Sequence, residues 1–173
     1  LRLRAESLYR RERFEAASDA FAVAARAADA AGDATAAAEL RDWVPHAFER
    51  HVAVVQADST RGDAAAAPLW RELAERWPDD ANAPRAFYRG GQAFATAGDD
   101  SAAVDAWRAV IERHPDHELA ADAHRNTARA LERGGALIEA ADVLVAFTAA
   151  HPGLDDGADV LLHAVDLRER AGD

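Results

Sequence analysis

The sequence predicts an all-α protein, an α-solenoid of stacked helix hairpins, and three observations predict it. The first is a repeat. GDAAAAPLWRELAERWPD at Gly62–Asp79 and GDDSAAVDAWRAVIERHPD at Gly98–Asp116 share a Gly-Asp start, an Ala-Ala core, Trp-Arg, Glu-Arg and a Pro-Asp end. GALIEAADVLVAFTAAHPG at Gly135–Gly153 is a third copy, with Leu144 in the Trp slot, and Trp70, Trp107 and Leu144 stand 37 residues apart, as do Pro78, Pro115 and Pro152. A period in this range marks stacked units, none of which buries its apolar face alone. The second observation is propensity: Ala, Leu, Arg and Glu dominate and β-branched residues are few, which favours helix almost everywhere. The third is punctuation, Gly-Asp and X-Pro breaks at regular intervals, where Gly ends one helix and Asp caps the next.

These signals give about ten helices in roughly four and a half repeats. Helices are expected over 1–12 and over 14–31, where Phe14, Ala17, Phe21, Ala24, Ala25 and Ala28 recur at three- and four-residue steps. Gly32-Asp33 separates 14–31 from 34–42. Pro45 is expected to begin a new helix, 45–60, as Pro84 does for 82–97, since Pro fits the first helical turn and PHAF parallels PRAF. Gly62-Asp63 precedes 64–77, which Pro78 ends; Gly98-Asp99 precedes 100–114, which Pro115 ends. Helices 117–133, 137–150 and 156–171 follow, separated by Gly134-Gly135 and His151-Pro152-Gly153. The repeats run approximately 1–33, 34–80, 81–117, 118–154 and a truncated 155–173, one continuous array over 1–173. Pro45 to Gly62 is three residues longer than Pro84 to Gly98, so the hairpin of 34–80 is irregular.

Composition narrows the function classes. The 20 basic residues are all Arg and about a quarter of the chain is Ala, a skew expected of a GC-rich genome. With no Cys, disulfides, thiolate catalysis and Cys-ligated zinc are excluded. A net charge of −11 argues against general nucleic-acid binding, which needs a basic footprint. No apolar run approaches the roughly 20 residues of a membrane span. The chain opens inside a helical pattern and closes on Ala171-Gly172-Asp173, a copy of the inter-helix turn, so the expectation is a segment of a longer protein.

Catalytic signals are poor. Ser7, Ser18, Ser59 and Ser101 lie outside any Gly-x-Ser-x-Gly elbow, and no phosphate-cradling Gly loop is present. His114, Asp116, His117 and His124 cluster in sequence and the first three could surround a cation, but His114 and His151 share one repeat position before Pro, which favours a turn-lining role. The expectation is a non-enzyme with no cofactor and no metal.

Phe87-x₂-Gly90-Gly91-x₂-Phe94, Ala103-x₃-Trp107 and Pro115 resemble the tetratricopeptide repeat (TPR). His124-x₂-Thr127-Ala128-x₂-Leu131 with Ala140-x₃-Leu144 and Pro152 follows the same pattern, as do Ala66-x₃-Trp70 with Pro78, Leu1-x₂-Arg4-Ala5-x₂-Leu8 with Ala17-x₃-Phe21, and Leu161-x₂-Ala164. The resemblance covers nearly the whole chain. VIERHPDHELAADAHRNTARALERGG is similar to the long-period TPRs of bacterial envelope proteins, of the Tol–Pal coordinator and outer-membrane lipoprotein type, which implies a periplasmic or outer-membrane-associated setting, with the cytoplasm as alternative.

What the resemblance implies is a right-handed solenoid whose first helices line a concave face that holds a peptide or helix of a partner protein. On that face stand Arg85, Tyr88, Arg89 and Gln92, then Asp122, Arg125, Asn126, Arg129 and Arg133, and in the preceding repeat His46, Glu49, Arg50 and Gln56. An Arg-rich strip on an acidic protein suits a carboxylate-bearing segment, because the guanidinium fork matches carboxylate geometry. The Lys-Asn arrangement of carboxylate-clamp TPRs is not reproduced. The expected function is a protein–protein interaction scaffold. A structural subunit in a larger envelope assembly and a regulatory TPR arm of a multidomain enzyme remain the alternatives, as does the plain reading that the arginines only pair with nearby acids.

Overall fold

The computed structural model describes residues 1–172 and is all-helical: among the described residues there are nine helices and no strand. They are α1 (Arg2–Arg10), α2 (Phe14–Ala30), α3 (Ala34–Gln56), α4 (Gly62–Arg76), α5 (Ala83–Thr96), α6 (Asp100–Arg113), α7 (Ala120–Arg133), α8 (Leu137–Ala150) and α9 (Gly157–Ala171). The chain divides into two compact units, Leu1–Asp80 and Ala81–Asp173. Within each unit every helix packs on the next in chain order.

The turns recur with the repeat. After α5, Gly98 takes φ +85°, a left-handed conformation that costs Gly nothing. Its amide bonds Ala95 O, the Asp99 amide reaches back to Phe94 O at 2.9 Å, and the Asp99 carboxylate then accepts from Ala102 N at 3.0 Å to start α6. Gly32-Asp33 repeats this geometry, with Asp33 capping Ala36 N. Between α1 and α2 the same turn is made without glycine, Glu12 holding φ +58°. Of the expected final turn, Ala171 and Gly172 are described and Asp173 lies outside the described residues.

One expectation fails. Pro45 does not begin a helix; it lies inside α3, which runs unbroken for 23 residues, so ten expected helices become nine. A proline in a helix interior removes one backbone bond and costs about 3 kcal/mol. Against this, Ala37, Leu40, Val44, Ala47, Phe48 and Val52 are all buried on a face that passes straight through the proline. Each large member contributes roughly 1.5–3 kcal/mol, so burial outweighs the break. The buried hydroxyl of Ser18 on α2 donates to Val44 O at 2.9 Å, tying the neighbouring backbone down.

In the first unit Ala5, Ala17, Phe21, Ala24, Ala25, Leu40, Val44 and Ala47 form one core. In the second, Ala128, Ala140, Ala141, Leu144, Ala164 and Leu167 form another. Trp70 and Trp107 are almost fully buried, as their repeat positions predict. Gly91 is what admits Trp107 to α5: a Cβ at Gly91 would stand 2.4 Å from the indole Nε1. The indole N–H consequently reaches main chain, donating to Tyr88 O at 3.2 Å.

Candidate functional site

The expected strip lies on α5 and α7 of the second unit. Proline at the start of α5 and a His117 imidazole accepting from Leu119 N at 3.1 Å ahead of α7 fix where these helices begin. The structure brings three of the predicted residues together. Asn126 Nδ2 donates to the Tyr88 hydroxyl oxygen at 3.0 Å, and Arg129 Nη1 donates to Asn126 Oδ1 at 3.4 Å, a polar ladder that bridges the two helices. Burial, reinforced by the Asp122 charge, raises the Tyr88 pKa, while the Asn126 hydrogen bond and Arg129 pull the other way. The phenol stays protonated at neutral pH.

Three other arginines of the strip are engaged by the chain's own acids. Arg85 Nη2 meets Glu118 Oε1 at 2.9 Å, and Arg133 binds Asp100 through two nitrogens. That contact, above all its hydrogen bond, holds the Asp100 carboxyl below the usual carboxylate range. Arg125 donates to Asp156 at 2.7 Å and to Asp122 at 3.4 Å, and lies 4.6 Å over the Phe147 ring. Exposed pairs of this kind contribute little stability, yet each takes a fork away from a ligand. Arg89 and Gln92 are exposed beside the ladder. Arg50 belongs to the first unit, where its guanidinium lies 5.4 Å over Phe14. Among the described residues no group of three or more His, Asp or Glu is placed to hold a metal ion.

A second feature of the first unit escaped the sequence reading. Arg2, Glu6, Tyr9 and Arg10 of α1, Phe21 of α2, and Glu39, Leu40 and Trp43 of α3 line a cleft of about 280 Å³. Trp43 stacks on Phe21 at 5.6 Å, and Tyr9 meets the indole edge-on at 5.4 Å. The Tyr9 hydroxyl and His46 Nε2 share a hydrogen bond at 3.0 Å. At the rim, Arg2 bridges Glu6 at 2.9 Å and Glu39 at 3.2 Å. Trp43 nevertheless keeps 42% of its surface exposed. A signal was present: Tyr9 with His46 and Arg2 with Glu39 are each one 37-residue period apart.

No protein-family model matches this chain, and no curated protein matches it in sequence.

Proposed function

We propose that this protein is a non-catalytic interaction module of TPR-like solenoid type that holds a peptide or helix of a partner protein. The half-exposed Trp43 in its aromatic cleft carries the reading. An indole is the most costly side chain to leave in water and the commonest anchor of interfaces, and here it is fixed by Phe21 and Tyr9 before anything binds. On the second unit, Arg89, Gln92 and Arg129 beside the Tyr88–Asn126 ladder suit a carboxylate of the same or another partner segment.

A packed subunit of a larger assembly is the second reading, and one observation favours it: Leu161, Leu162 and Val165 expose 43%, 68% and 52% of their surface along α9. A cluster of that kind on one helix marks a face that another element covers.

Selection of a random peptide library on the purified chain separates the two. Peptides that bind the wild type and are lost on Trp43→Ala support the cleft reading. Peptides lost on Leu162→Glu and retained by Trp43→Ala support the second reading. If no binder depends on Trp43, the proposal of a peptide-holding cleft fails.

A further inference from the structure

A small stack recurs at each X-Pro turn, and its third copy differs in a chemically pointed way. In the first unit Phe48 of α3 faces Trp77, the residue before Pro78, with ring centroids 5.4 Å apart. The Arg76 guanidinium covers both rings, at 5.5 and 4.7 Å. In the second unit Phe87 of α5 faces His114, before Pro115, at 6.4 Å, and Arg113 lies 5.2 Å over Phe87. One repeat later the first-helix position holds His124 in place of Phe87, and the position before Pro152 holds His151.

The two imidazoles meet edge to face at 5.6 Å, and both rest on Phe147, at 6.0 and 5.3 Å. Ala150 occupies the slot of Arg113, and the cation is supplied instead by Arg125, over Phe147. His124 is 6% exposed. Buried side-chain polar atoms without a partner, among the described residues, are His124 Nδ1, Thr127 Oγ1, His151 Nε2 and Asp156 Oδ1, and all belong to α7, the end of α8 and the turn that follows. A buried site with unfilled polar atoms and two titratable rings is poorly suited to receive a charge.

We propose that His124, packed edge to face on His151, is a proton-sensitive latch: neutral, it closes the end of α8 and the following turn onto α7 around Phe147; protonated, the buried ring opens that segment. The charged groups around the pair give a proton little welcome. Arg125 comes from the same helix and is held by Asp156 at the start of α9, while Asp122, also on α7, is turned to Arg125. The end of α6 brings Arg113 and His114, both placed against Phe87.

Burial, and then the neighbouring His151, lowers the His124 pKa, while a hydrogen bond involving the Val143 backbone opposes them. The sign follows from this depression. The unfolded ring takes a proton near pH 6.5, the folded one only at lower pH, so below about 6.5 the open state binds more protons. The latch is fully closed above pH 6.5 and weakens as pH falls, by up to ~tenfold in the opening equilibrium per pH unit for one such histidine. Opening would uncover Phe147, which is fully buried, and release Asp156 from Arg125. In the first unit Trp77 stands in the slot of His151, and the imidazole that meets Phe48 edge-on at 6.0 Å, His51, is only part-buried.

Amide hydrogen exchange of the purified chain at pH 7.5 and 5.5, corrected for intrinsic rates, tests this. The expected result is more opening of residues 143–156 at pH 5.5, up to roughly tenfold, with no change around Phe48 and Trp77. His124→Phe, which restores the residue found at 87, is expected to remove the pH dependence. A wild type without that dependence, or a His124→Phe variant that keeps it, overturns the proposal. Should the variant fail to fold, NMR titration of the two imidazoles in the wild type decides: His124 protonating near pH 6.5 while residues 143–156 stay protected also overturns it.

Discussion

Trp70 and Trp107 fill the same repeat slot and are equally buried, yet their indole N–H groups end in different places. In the second unit Trp107 lies on bare α5 backbone at Gly91 and donates to Tyr88 O. In the first unit α3 has no glycine, and Trp70 donates instead to the Gln56 side chain at 2.9 Å, whose amide donates on to Asp63 at 2.7 Å. The repeat therefore specifies a volume to be filled, while the polar partner is supplied locally by whatever the facing helix offers. The third copy extends the rule: Ala128 stands in the Gly91 position where Leu144 stands in the Trp107 position, so small and large residues trade volume across the interface.

The sharpest break of this comparison is Gly91→Ala. The new methyl meets a rigid, buried ring, and the expected loss is about 2–3 kcal/mol, more than the ~1 kcal/mol gained in helix propensity. Adding Trp107→Leu recreates the pairing of Ala128 with Leu144. Urea unfolding of the second unit is expected to show the double variant ~1–2 kcal/mol more stable than the sum of the single losses. Strict additivity would mean that the two positions do not share one space. Gln56→Ala comes next: it removes the side-chain acceptor of the buried Trp70 N–H and is expected to lower the stability of the first unit by about 1–2 kcal/mol. No side-chain deletion in the second unit can remove the Trp107 acceptor in that way, because it is main chain. Smallest, and of opposite sign, is Glu12→Gly, where relieving the left-handed conformation at Glu12 should raise the unfolding free energy by roughly 0.5–1 kcal/mol.

Most helix boundaries were legible because Gly-Asp and X-Pro act locally. α3 was not, because Pro45 carries a strong local signal to stop, while the burial of Leu40, Val44, Phe48 and Val52 that overrides it is tertiary. That misreading also hid the cleft: with the helix broken after residue 42, Trp43 fell in a connection and went unread. The positions of Arg85, Tyr88, Arg89, Gln92, Arg125, Asn126, Arg129 and Arg133 on α5 and α7 followed from periodicity. Their partners did not, since Arg85–Glu118 and Arg133–Asp100 join residues 33 apart across different turns. The Phe-to-His change at 124 was visible in the repeat, but its meaning rested on His151 turning its edge to the same ring, which spacing alone does not fix.

The central claim is that Trp43 holds a partner segment, and calorimetric titration of a selected peptide measures it directly. Against Trp43→Ala, which keeps its helical circular dichroism, the account predicts affinity at least ~tenfold weaker, as for the loss of an interface anchor. Equal affinity for the wild type and the folded variant would contradict it.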